Sequence, residues 1–172
     1  MISKIAITFD TNSIKNFDFL IDHYKKIGNF DFVFLIHESL KENLNLNEYS
    51  SGQVCFCNGI NYILKIAEIF KDIKEDKYGV LLDSSFYLKD FSFTDFNEIA
   101  AIDEEDNFVV LGKPSFWNFI FNTISVFVNN FDFIKKSSSK LLFENIIKNF
   151  PVNYLNLKEK NNYQNLLQKI NS

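Results

Sequence analysis

Apolar positions along this chain follow two periods that alternate from one end to the other. "KIAITF" (Lys4 to Phe9) is a short β-branched run and predicts a buried strand, and "DTNS" after it supplies turn and helix-capping residues. The apolar positions then change to three- and four-residue spacing at Ile14, Phe17, Leu20, Ile21, Tyr24 and Ile27. This predicts an amphipathic helix, with Gly28 where a C-terminal cap belongs. "DFVFLIH" (Asp31 to His37) returns to the unbroken kind and predicts a second strand. Strand, helix and strand in that order make a β-α-β unit. Strands apolar on both faces belong to a parallel sheet with helices on both sides, so the expected fold class is α/β.

Residues 38–52 are polar and Asn-rich with a weak Leu pattern, fitting a short helix or a loop. "QVCFC" (Gln53 to Cys57) predicts a third strand, and Ile60, Ile63, Leu64, Ala67, Phe70 and Ile73 mark one face of a long helix behind it. "YGVLLDSSFYL" (Tyr78 to Leu88) predicts a fourth strand, with a single carboxylate, Asp83, at the end of its apolar run. "EIAAI" and "NFVVL" flank the acidic "DEED" (Asp103 to Asp106), which suggests a hairpin around a solvated turn, with a helix over Ile99 to Glu105 as the alternative. Further on, "ISVFV" reads as a strand, "SSSKLLFENIIKNF" as a capped helix, "VNYLNL" as a strand and "YQNLLQKI" as a short helix. No repeat, linker or low-complexity block interrupts residues 1–172, which are expected to form one domain.

Composition adds that this domain needs no staples. Hydrophobic residues make up 47% of the 172 positions and Phe alone supplies 21, so burial offsets chain entropy without disulfides or metals. The aromatic excess also offers an oligomer interface, and a homo-oligomer is among the expectations. All 18 basic residues are Lys, against 22 acidic ones and a net charge of -4. A chain without Arg and without a basic cluster does not carry a nucleic-acid footprint. Cys55 and Cys57, one residue apart on a predicted strand, point to the same face and read as reduced core thiols. The longest apolar zone, "FWNFIFNTISVFV", is broken by Asn118 and Asn122 and falls short of a membrane span; the first residues show no signal-peptide pattern. A soluble, cytoplasmic protein is expected.

Gly-rich phosphate loops, Gly-x-Ser-x-Gly elbows and Cys/His metal patterns are absent from the sequence. What it offers instead is a set of polar residues at predicted strand ends. Asp10 and Asp83 each follow an apolar strand, and in a parallel sheet both would emerge at the same carboxyl-end edge as His37 and Asn58, where open α/β sheets place ligands. Carboxylates grouped there would suit a hard divalent cation, Mn or Mg, neutralising a diphosphate. Strand-end Asp and Asn also bond their own backbone and start helices, so the same residues serve a turn without any ligand.

The order of these pieces resembles the A-type glycosyltransferase fold, especially the family-8 enzymes that move a sugar from a nucleotide-diphosphate donor. "KIAITFDTNSIKNFDFLIDHYKKI" is similar to the opening strand, nucleotide-binding turn and first helix of that family. "YGVLLDSSFYLKDFSFTDF" is similar to its metal-binding strand with Asp-x-Asp, "FNTISVFVNNFDFIKK" to its later Phe-Asn-Ser-Gly strand and helix, and "NYQNLLQ" to its Asp-Gln-Asp segment. The resemblance implies a nucleotide-sugar donor and a glycan acceptor. Thr8, Asp10 and Asn12 would line the nucleotide pocket, Asp83 would be the metal ligand, and Asn122 and Gln164 would face donor or acceptor. The chain departs from the pattern at Ser85, which stands where the second Asp belongs and is a poorer ligand for a cation. The distal His-containing motif of the family is not found among the 172 residues. An enzyme working without metal would use Lys113 or Lys89 near the phosphates.

Two other readings stand beside this one. A non-catalytic scaffold or binding protein of the same fold follows from the missing second Asp, since a fold alone does not prove activity. "ITFDTNSI" also resembles the first metal-binding motif of PIN-domain ribonucleases, which would make Asp10, Glu42 and Asp95 carboxylates of a nuclease site. In that reading the last acidic position falls on Lys113 or Pro114, and the strand around Asp83 has no natural place.

Overall fold

Strands with apolar residues on both faces take the middle of a sheet. In the computed structural model, which describes residues 2–9, 14–43, 53–57, 61–91, 98–103, 109–130, 145–155 and 163–165, this is where β1 (Ile2–Phe9), β2 (Asp31–His37) and β4 (Tyr78–Asp83) lie. They belong to a seven-stranded sheet of order β3-β2-β1-β4-β7-β6-β8, with β3 at Gln53–Cys57, β6 at Ala100–Asp103, β7 at Val109–Gly112 and β8 at Asn153–Leu155. β7 runs antiparallel to both of its neighbours, and every other strand of the sheet runs the same way.

Helices cover both faces. α1 (Phe17–Ile27) joins β1 to β2 and buries Phe17, Leu20, Ile21 and Tyr24 against Ile5, Ile7, Phe34 and Leu82. α2 (Asn61–Lys71) joins β3 to β4 on the opposite face, where Ile66, Ala67 and Phe70 pack with Ala6, Val33, Leu35 and Leu81. The chain thus steps outward from β1 to β3, then returns to place β4 on the other side of β1. Strand order reverses between β1 and β4.

The hairpin expected around Asp103 is present as the antiparallel pair β6 and β7. Asp103, however, is the last residue of β6 and only 1% exposed, so the solvated turn expected to begin there does not include it; residues 104–108 lie outside the described residues. The strand expected at "ISVFV" is overturned, because that segment lies within α3 (Pro114–Asn130). Proline is favoured in the first turn of a helix, and burial of Phe116, Trp117, Ile120 and Ile124 follows helical spacing while Asn118 and Asn122 stay exposed. A short β-branched run is locally compatible with a strand; the longer period decides. Of the expected helix at residues 137–150, residues 145–148 are helical, and Ile146 and Ile147 are buried beside α3. The helix expected at "YQNLLQKI" begins instead as β9 (Tyr163–Asn165), antiparallel to β5 (Phe86–Leu88).

β5 hangs from α1. The Leu88 amide donates to Tyr24 Oη at 3.2 Å, and the Leu88 carbonyl accepts from His23 Nε2 at 2.5 Å. The His23 ring stacks against Phe19 and meets Tyr87 edge-on. Cys55 and Cys57 are unpaired thiols, Cys57 buried against α2, as expected of core cysteines. No described helix is long and apolar enough to cross a membrane.

Candidate functional site

Ligands of open α/β sheets bind outside the carboxyl ends of the strands, where strand order reverses. Here that point lies between β1 and β4, and Thr8 and Asp83 are register partners across it. Their surroundings are tightly tied. Thr8 Oγ1 donates to the Leu82 carbonyl at 3.3 Å, and the Ser84 amide donates to the Thr8 carbonyl at 3.2 Å. Asp83 Oδ1 accepts from the Ser85 amide at 2.8 Å, a turn closed by the side chain of its own first residue. One carboxylate oxygen of Asp83 therefore shapes the turn, and the residue as a whole is partly exposed.

Burial of polar residues picks out the same edge. Asn16, Ser84 and Asp103 are the buried hydrophilic residues among those described. Asn16 directly precedes α1 on the way out of β1, Ser84 follows β4, and Asp103 ends β6. All three stand where strands end rather than at the opposite edge. Ser84 is 1% exposed, and its Oγ has no hydrogen-bond partner among the described residues. A buried hydroxyl left unpaired is uncommon in a folded protein.

The predicted residues divide clearly. Thr8, Asp83 and Ser85 come together at the β1–β4 junction. His37 ends β2 at the same sheet edge, exposed, with its Nδ1 bonded to Ser39 Oγ at 2.7 Å; β1 separates its strand from that of Asp83. Asp10, Asn12, Asn58 and Asp95 lie outside the described residues. Asn122 is exposed in the middle of α3 and not at a strand end, and Gln164 is the backbone partner of Tyr87 in the β5–β9 pair. Lys113 closes β7 at the opposite edge, its ammonium 5.5 Å from the ring of Tyr78 at the start of β4, so it does not neighbour the Asp83 turn. Lys89 is exposed one residue beyond β5, and Glu42 is exposed after β2. The strand ending in Asp83, which the nuclease reading could not place, occupies the centre of the sheet.

The described residues at the turn supply few of the oxygen donors that a hard divalent cation takes. Such ions take six or more oxygens with carboxylates among them, whereas Ser85 is neutral and Asp83 already spends one oxygen on the turn. Asp103 does not complete the set. It is two strands away across β7, a spacing of about 10 Å, and on the alternating pleat it faces α1 while Asp83 falls on the α2 side with Leu81. Among the described residues no three His, Cys, Asp or Glu side chains are grouped to hold a metal ion. Sequence reasoning passed over Ser84, whose only signal is its position between Asp83 and Ser85. It read Asp103 as part of a solvated turn, although the apolar "IAAI" before it was the available sign of a buried strand end.

No family model matches this chain, and no curated protein matches it. Its fold is similar to that of the glycosyltransferase GlyE of Streptococcus pneumoniae TIGR4 in its apo form, with TM-score 0.57 and 11% identity over 92% of this chain and 46% of that one. A second crystal structure of GlyE gives TM-score 0.57 and 11% identity over 91% and 46%. An active-site mutant of LgtC gives TM-score 0.55 and 11% identity over 90% of this chain and 73% of that one. The chain spans about half the length of the GlyE chain, which it matches over 46%. At 11% identity the likeness is one of architecture: a single-domain, mostly parallel α/β sheet covered by helices, the fold of these glycosyltransferases.

Proposed function

We propose that this chain binds a nucleotide-diphosphate sugar at the carboxyl edge between β1 and β4 and presents it for transfer to a glycan acceptor. The observation that carries the reading is the pairing of Thr8 with Asp83 at the strand-order reversal of a fold shared with glycosyltransferases. Transfer of this kind asks the protein to stabilise charge on the departing nucleotide diphosphate and to hold an acceptor hydroxyl against the anomeric carbon. Thr8 and Asp83 would line the donor side, with Asp10, Asn12 and Asn58 from the adjoining segments; Asp103 would border the same edge two strands further on.

A panel of uridine and cytidine diphosphates and their hexose conjugates, with and without manganese, tests the proposal by thermal melting. A rise in melting temperature with one base and not the other is the expected result, and a melting curve unmoved by every member would exclude it. A second reading, binding without transfer, is favoured by the neutral Ser85. It is separated from the first by incubating a bound donor with glycan acceptors: release of free nucleotide at a rate set by the acceptor marks a transferase, and an intact donor marks a binding protein.

A further inference from the structure

We infer that Cys55 and Cys57 form a two-thiol site for one soft monovalent cation of the copper(I) type, on the end strand of the sheet and apart from the β1–β4 junction. Their placement comes from β3, the first strand in the sheet order, which pairs with β2. Cys55 is the register partner of Leu35 and Cys57 of His37, so the two thiols flank Phe56 and fall on one face. Both pack with the cluster that holds Ile66, Ala67 and Phe70 of α2, whereas Val54 and Phe56 pack on the α1 side. Cys57 is buried, Cys55 is partly exposed, and both are free thiols.

Strand geometry decides what such a pair can hold. Same-face neighbours on a strand stand about 6.6 Å apart at Cα and nearly as far at Cβ, while a disulfide asks for Cβ atoms about 3.8 Å apart. The thiols therefore stay reduced unless the backbone moves. A two-coordinate ion closes the gap instead, because two metal–thiolate bonds of about 2.3 Å span about 4.6 Å, within reach of side chains that lean along the strand. Thiolates also select copper(I) over the hard divalent ions. Two ligands suffice for a linear closed-shell ion, so the site needs no third His, Cys, Asp or Glu, and no such group of three occurs among the described residues.

Charge supplies a second argument. Binding releases one proton from each thiol to solvent and leaves the ion with its two thiolates carrying one net negative charge. Lys65 of α2 lies within electrostatic reach of both cysteines, and its ammonium offsets that charge. Glu38 near Cys57 and Glu68 near Cys55 oppose it, although Glu68 is itself paired with Lys65 at 3.0 Å. Burial keeps both thiols protonated until an ion displaces the proton, which distinguishes the pair from a nucleophilic cysteine.

The whole chain is titrated anaerobically with copper(I) against the chelator bicinchoninate, and the copper-loaded chain is then challenged with zinc. One equivalent of copper(I) should transfer to the chain, with thiolate-to-copper charge-transfer absorption in the ultraviolet and a raised melting temperature. C55S and C57S should each weaken uptake by at least about 100-fold, because a single thiol holds the ion without its chelating partner. Emission from Trp117, buried in the same α2-side layer, checks that each variant is folded. C55S alters the partly exposed position and decides the matter where C57S does not fold. Equimolar zinc, which takes four ligands, should leave the copper in place. No uptake by the folded chain, uptake kept by either folded single variant, or displacement of the copper by zinc overturns the inference. Each of these outcomes is independent of donor binding between β1 and β4.

Discussion

Gly79 of β4 and Gly112 of β7 stand opposite one another across an antiparallel ladder, and aromatic rings from α2 and α3 fill the space where their side chains would be. A Cβ on Gly79 would come within 2.4 Å of the Phe70 ring, and one on Gly112 within 2.2 Å of Phe116 and 2.9 Å of Trp117 Nε1. Phe70, Phe116 and Trp117 are fully buried and have nowhere to move. G79A and G112A should each destabilise the protein by about 1–3 kcal/mol through overpacking. Urea denaturation checks this, and an unchanged midpoint for either would show that the trough is looser than its distances imply.

Trp117 makes the same layer visible in solution. It is the single tryptophan of the chain, fully buried, 4.6 Å from the Phe70 ring, with its indole nitrogen donating to the Gly112 carbonyl at 2.9 Å. Its emission should be blue-shifted and should move red together with the loss of backbone ellipticity in denaturant. W117A should cost about 3–5 kcal/mol.

The cysteines predict a pH effect. Burial first, and then the neighbouring Cys55, push the Cys57 thiol up to about 11 from its ordinary 9.0. The folded chain therefore holds this proton more tightly than the unfolded one. The contribution is complete below pH 9, where both states carry the proton, and is lost as pH rises through about 11, because the unfolded state releases its proton first. The advantage of wild type over C57A in urea midpoint should shrink across that window. Alkylation of Cys57 by iodoacetamide at neutral pH should follow unfolding rather than precede it, since the thiolate is the reactive form.

Asp83 separates turn from ligand. D83N keeps an oxygen for the Ser85 amide and should melt close to wild type while weakening the donor, because a ligand hydroxyl loses a charged acceptor. D83A loses the turn bond as well and should cost about 1 kcal/mol of stability. If D83N and wild type bound every tested nucleotide sugar alike, Asp83 would be a turn residue alone.

Much of this arrangement is legible in the sequence wherever a run is apolar on every position. "IAITF", "FVFLI" and "GVLLD" bury both faces, so their parallel pairing and the place of Asp83 and His37 at one edge follow from pattern alone, whereas Thr8 is marked only by the family resemblance. "ISVFV" misleads because three of its five residues are β-branched, inside a helix whose apolar spacing emerges only over its seventeen positions. "YQN" misleads in the other direction, since its strand exists by pairing with β5, a partner far away in sequence. The direction of β7 is the deeper omission. Without it Lys113 looks free to approach a phosphate, and with it the ammonium ends beside Tyr78 at the far side of the sheet. Ser84 is legible only once its burial is known.

The fastening of Leu88 to α1 sets the length of chain permitted after Asp83. Both peptide groups of Leu88 are claimed by one helix, the amide by Tyr24 and the carbonyl by His23. One residue inserted or deleted between Ser84 and Leu88 would rotate that backbone by half a pleat and forfeit both claims together. The segment is therefore a ruler of fixed span, open to exchange of side chains but closed to changes in their number.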